Sequence, residues 1–162
     1  MTRRITVFTV LTLLWCAMIF FLSSQPADES SQTSGVFADF IKTVFFPDFD
    51  KLSEARQQDI LDSITFIVRK GAHFTAYGIL GALAFQTLCF IKRKPVRAAA
   101  AVGFACFYAS TDEFHQTFVA GRSGELRDVL VDTSGALLFV LLSLLVVKVI
   151  ERYREKKMSG SA

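Results

Sequence analysis

Residues 107–118, FYASTDEFHQTF, end an apolar run with an aspartate, a glutamate, a histidine and a glutamine inside five positions. On a helix, Asp112, His115 and Gln116 stand at i, i+3 and i+4 and cover roughly 100° of arc, with Glu113 about 60° beyond Gln116. Two other segments carry matching groups at helical spacing. Arg69, His73 and Tyr77 step by four, with Lys70 alongside; Asp128 and Asp132 are four apart, and Gly135 on their face lets a neighbouring helix come close. Between the second and third groups, Arg122 sits between two glycines that permit unusual backbone angles. A histidine beside carboxylates can move a proton, and two or three arginines can hold a phosphate or carboxylate.

Other chemistries fit these residues less closely. Interspan salt bridges, Arg69 or Arg122 against Asp112, Asp128 or Asp132, would explain the charges as packing devices. They do not explain why the chain's two histidines and a tyrosine share the layer. His73, His115, Asp112, Glu113, Asp128 and Asp132 could supply N and O ligands. No HExxH, DxDxDG or Walker A spacing is present, and nearby arginines compete for the carboxylates, so the expectation is no metal and no identified cofactor. Ser23, Ser24 and Ser123 lack a GxSxG context. Cys16, Cys89 and Cys106 lie in apolar stretches without CxxC spacing, which suits packing rather than a disulfide framework or zinc.

These groups must be placed by a membrane fold. The chain has 162 residues, is 52% hydrophobic and has a mean hydropathy of +0.41, which excludes a soluble nucleic-acid binder. A bilayer core of about 30 Å needs roughly 20 helical residues, and four stretches qualify: residues 5–22, 72–91, 98–118 and 129–150. Lipid offers the backbone no partners, so each is expected to be a helix. The expected fold is all-α, one domain over residues 1–162: four transmembrane helices, an outer loop over 23–71 and a basic cytoplasmic tail over 151–162.

Arg3 and Arg4, the run IKRKPVR and the run ERYREKK fall on one side of that arrangement, so both termini are expected in the cytoplasm. Its net charge of +3 resides in those clusters. The alternative for the first stretch is a signal peptide, but eighteen residues exceed the usual h-region of roughly 7–15. In the outer loop, SSQPADESSQTSG reads as a polar exit segment. Val36, Phe37, Phe40, Ile41, Val44 and Phe45 then recur on one face, as in a helix lying at the interface or packed over the bundle. Pro47 and Asp48 punctuate, and Ser53 can cap a further helix running toward the second span.

With these motifs in view (WCAMIFFLSSQ, RKGAHFTAYGILG and YASTDEFHQTFVAGRSGELRDVLVDTSGALLF), the chain resembles the VanZ-like family of bacterial membrane proteins, named for a teicoplanin-resistance accessory. The resemblance runs from Trp15 to Phe139, and the order DEFHQ, GR, D is its most specific part. Family positions map onto Ser23, Ser24, Gln25, Lys70, His73, Tyr77, Asp112, Glu113, His115, Gln116, Arg122 and Asp128. Asp132 and Thr133 stand where many relatives carry asparagine, and the segment around Phe40 is not assigned to the pattern. The resemblance implies the bacterial cytoplasmic membrane and a link to glycopeptide tolerance; it supplies no reaction.

The expected function is an outward-facing polar site that binds an anionic lipid-linked or glycan headgroup, with or without modifying it. Its partners would be membrane lipids and a lipid-linked cell-wall precursor or glycopeptide. Arg69, Lys70 and Arg122 hold the anion in this reading. Asp112 or Glu113 orients His115 as proton acceptor, with His73 as a second catalytic group. Asp128 fixes Arg122; Tyr77, Asp132, Ser24, Gln25 and Gln116 complete the binding set. The competing expectation is a non-enzymatic scaffold that limits glycopeptide access, sensitive near Phe40 and Phe45. A transporter would need broken, repeated helices that this chain does not show.

Overall fold

The computed structural model describes residues 2–159, apart from the side chains of 28, 29, 31, 33, 34, 36 and 159. The described residues form five α-helices and no strand: α1 (Thr2–Ser23), α2 (Ala27–Phe45), α3 (Glu54–Thr87), α4 (Lys94–Gln116) and α5 (Leu126–Ser159). A single 3-10 turn at Phe49–Lys51 links α2 to α3.

Two helices, α1 and α5, are long and apolar enough to cross a membrane, and only 11% and 17% of their apolar stretches are buried inside the protein. The core helix of a soluble protein would hide such a stretch; here Leu13, Leu14, Phe21, Leu141 and Leu145 stay exposed, a surface made for lipid. The expected spans 72–91 and 98–118 do form helix over most of their length, but α3 and α4 do not reach the same apolarity. Glycine, alanine and buried polar residues dilute them, because these two helices face the protein.

The loop expected over 23–71 is mostly helical. The polar exit segment begins a helix at Ala27, where Pro26 supplies a fixed φ of −53° at the N-cap, and α2 runs without a break into the phenylalanine face. Ser53 takes the N-cap position of α3 but makes no side-chain cap hydrogen bond. The helix it starts does not stop before the second span: Gly71 meets nothing within 4 Å and interrupts nothing, so α3 is 34 residues long. Past residue 150, the basic tail continues α5 as helix to Ser159.

The bundle is closed by α3 against α5. A Cβ on Gly135 would collide with the Phe74 carbonyl; one on Gly78 would stand 2.7 Å from the Phe139 ring, and one on Gly81 3.0 Å from Ala136. Small residues along both helices let their backbones touch. Beside this seam Ile19, Tyr77, Leu80, Ala105, Ala109, Val129 and Ala136 form one buried cluster, and Ala84, Phe85, Ala101 and Val140 a second. α1 joins through single polar contacts: Trp15 Nε1 donates to Ala76 O at 2.8 Å, Tyr108 Oη to Cys16 O at 2.7 Å, and the Thr12 and Thr87 hydroxyls meet at 3.0 Å. At the end of α3 near its C-terminus, Arg97 is buried rather than free in a basic turn. Its guanidinium lies over the Phe85 ring, 3.8 Å from the centroid, and Nε donates to Phe85 O.

Gly135→Ala is expected to lower stability by about 1–3 kcal/mol, the usual cost of overpacking, read as a fall of several degrees in melting temperature in detergent. Gly103→Ala, whose Cβ would meet nothing within 4 Å, should leave the melt unchanged.

Candidate functional site

The end of α4 and the start of α5 bring all four expected acid residues into one layer. On α4, Asp112, Glu113 and Gln116 are buried, with exposures of 4, 5 and 5%; on α5, Asp132 is fully buried and Asp128 largely so. His73 from α3 points its Nδ1 toward Asp132 Oδ2 at 3.6 Å, too long for a hydrogen bond. His73, Glu113 and Asp132 each offer one ligand-type atom, and these atoms lie within 4.8 Å of one another.

Glu113 is held by the turn it faces. Its Oε2 accepts the backbone N–H of Glu125 at 2.9 Å, and the α4–α5 connector reaches it because Gly124 has no Cβ to strike the Glu113 carbonyl, which would stand at 2.5 Å. Gly121 takes a φ of 72°, a left-handed angle that glycine adopts at little cost. A Cβ there would press on Ala27, and Ala27 N–H donates to Ala120 O at 3.2 Å. The two glycines thereby set Arg122 across from the α1–α2 turn.

Two adjoining cavities, of about 150 and 170 Å³, open beside this layer. Arg69, His73 and Arg122 line both; Tyr77, Asp112, Ser23 and Gln25 line the first, and Gln116 and Asp128 the second. Among the described residues, neither Arg69 nor Arg122 is in an ion pair; Arg122 makes one long hydrogen bond, at 3.4 Å, to Leu22 O. Partial burial, and then the neighbouring charge of Arg69, pull the Arg122 guanidinium below the ordinary arginine value. It still carries its charge at neutral pH.

Three expected pairings are different in the structure. Asp128 pairs with Lys70 and not with Arg122. Lys70 is therefore committed to a carboxylate, while also lying over the Phe66 ring at 5.3 Å. His115 is turned away from Asp112 and Glu113: its Nε2 meets Ser24 Oγ at 3.2 Å and its ring packs on Phe20 with centroids 4.7 Å apart, and it lines neither cavity. Ser23, seen in the sequence only as part of a motif, is buried and accepts a hydrogen bond from Gln116 Nε2 at 3.1 Å. The signal for it was available in its place one residue before Ser24, on the inner face of α1.

Removing one partner of the Lys70–Asp128 pair leaves a largely buried charge alone. Lys70→Met and Asp128→Asn should each cost about 1–3 kcal/mol, and the double variant less than their sum; additivity in melting experiments would mean the two do not interact.

No curated protein and no solved structure matches the chain. Residues 8–147 match the VanZ/LLP1 family model, and the chain belongs to that family.

Proposed function

We propose that this VanZ/LLP1 protein binds an anionic headgroup, of a lipid-linked or glycan molecule, in the paired cavities between the C-terminal ends of α1 and α4 and the middle of α3. The observation that supports this reading is the pair of arginines: Arg69 and Arg122 line both cavities, and neither meets a carboxylate. Two guanidinium groups left without ion pairs beside a layer of buried carboxylates suit an anion brought from outside, since planar forks hold phosphate or carboxylate oxygens in pairs. Gln25 and Gln116 add amide groups at the cavity walls. His73, which faces both cavities, replaces His115 as the nearest imidazole to the bound group, so any proton transfer would run through His73 with Asp132 behind it. A role in glycopeptide tolerance follows if that headgroup belongs to a cell-wall precursor.

The accompanying topology places α1, α3, α4 and α5 across the bacterial cytoplasmic membrane, both termini inside and the cavities outside. α3 and α4 cross on this reading because their polar surfaces are shielded by α1 and α5 and their remaining faces, with Phe104 and Phe107 exposed, meet lipid. In a variant lacking Cys16, Cys89 and Cys106, a cysteine at Glu125 should be labelled in intact cells by a reagent that cannot cross the membrane. Labelling only after permeabilisation would reverse the orientation.

Native mass spectrometry of protein released from nanodiscs tests the site. Wild type should carry an anionic lipid or polyprenyl-linked species that Arg69→Ala and Arg122→Ala lose by at least tenfold, while Arg56→Ala, exposed and outside both cavities, retains it. Equal occupancy in all four would remove the headgroup reading and favour a scaffold.

A further inference from the structure

We propose that His73, Glu113 and Asp132 form a binding site for a divalent transition-metal ion, Zn2+ or Mn2+. The proposal does not depend on the headgroup reading; it rests on the polar atoms inside the bundle. Asp132 is fully buried, and neither of its oxygens has a hydrogen-bond partner among the described residues; the same holds for Glu113 Oε1 and His73 Nδ1. Buried polar atoms in folded proteins are nearly always paired, and an unpaired buried carboxylate costs far more than an unpaired amide. One ligand atom from each of these three residues, on three different helices, lies within 4.8 Å of the other two.

The charge balance points the same way. α4 and α5 bring Asp112, Glu113, Asp128 and Asp132 into the layer, and Lys70 compensates Asp128 alone. The arginines remain at the cavity walls. A doubly charged cation at the convergence point would offset the Glu113 and Asp132 carboxylates at once, as a single proton cannot.

The geometry suits such an ion. Ligand atoms about 2.1 Å from a tetrahedral centre stand about 3.4 Å apart, and His73 Nδ1 to Asp132 Oδ2 is already 3.6 Å. Glu113 offers the third ligand atom, within 4.8 Å of the other two, while its Oε2 accepts from the Glu125 N–H. One imidazole with two carboxylates is a donor set for Zn2+ or Mn2+ rather than for Ca2+, which takes oxygen alone, or Cu+, which prefers sulfur. Three protein ligands leave a coordination position free. Of the three ligands His73 alone lines the cavities, and it lines both, so the imidazole is the side of the site nearest to water or to an oxyanion held by Arg69 and Arg122.

The test uses full-length protein in nanodiscs, its affinity tag removed, stripped with a chelator and then dialysed against Zn2+ or Mn2+. Elemental analysis after desalting should find about one equivalent in wild type, with a rise in melting temperature on loading. His73→Ala, Glu113→Gln and Asp132→Asn should each weaken binding by more than the roughly 10–100-fold that loss of an outer hydrogen-bond partner costs, while Arg122→Ala keeps the full equivalent even if it has lost its lipid. Should a ligand variant fail to fold, wild type alone decides: no uptake of either ion would show that protons compensate these carboxylates and overturn the site. Full uptake in folded His73→Ala and Asp132→Asn would overturn it equally, by placing the ion elsewhere.

Discussion

The approach of α3 to α5 at Phe74 and Gly135 is the contact on which the rest of this protein depends. No side chain larger than hydrogen fits against the Phe74 carbonyl, and the residues that matter chemically are its immediate neighbours. His73 precedes Phe74 in the chain, and Asp132 lies just under one turn before Gly135. The same glycine that joins two helices therefore sets the distance between an imidazole and a carboxylate. Gly78 beneath Phe139 and Gly81 against Ala136 continue the seam for about two turns, which keeps the two helices from pivoting about a single point.

Around that seam the charges are sorted by depth. Carboxylates from α4 and α5 occupy the interior, and arginines from α3 and the α4–α5 connector occupy the mouth. Lys70 crosses between the two layers by lying over Phe66 while reaching Asp128, so its stem covers apolar surface and its head stays with a counter-charge. This segregation gives the pocket a field that draws anions to its rim and cations to its floor. Simple interhelical bridging would have placed the arginines among the acids, and only Lys70 is so placed.

Much of this was legible in the chain before folding. Helical spacing placed Asp112, Gln116, His73, Tyr77, Asp128 and Asp132 on converging faces, and the glycines of GRSGE marked a connector that must bend. Three things escaped. Periodicity assigned His115 to the same face as Asp112, but the buried arc of α4 is centred near Gln116, roughly 50° from Asp112. His115, about 60° on the other side of Asp112, falls at its rim and turns to Ser24. Charge partners could not be read at all, since Lys70 and Arg122 were equally available to Asp128 until helix rotation chose Lys70. Polar composition hid the start of α2, because serine and aspartate favour caps and turns, yet here they lie inside a helix that begins directly after Pro26. Hydropathy also overstated the likeness of the four long helices: α1 and α5 show lipid-facing surfaces, whereas the small residues of α3 and α4 reflect their place against one another and against α5.

The hydrogen bond from Ala27 N–H to Ala120 O joins the start of α2 to the connector that carries Arg122. Beyond it, α2 rests chiefly on α3, leaving Phe37, Phe40 and Phe45 exposed. The start of α2 and the connector that carries Arg122 are therefore fixed against each other, so the angle at which the chain leaves α1 also sets where that guanidinium stands. A substitution in the short turn between α1 and α2 is thus felt on the far side of the mouth, at Arg122, through the backbone alone.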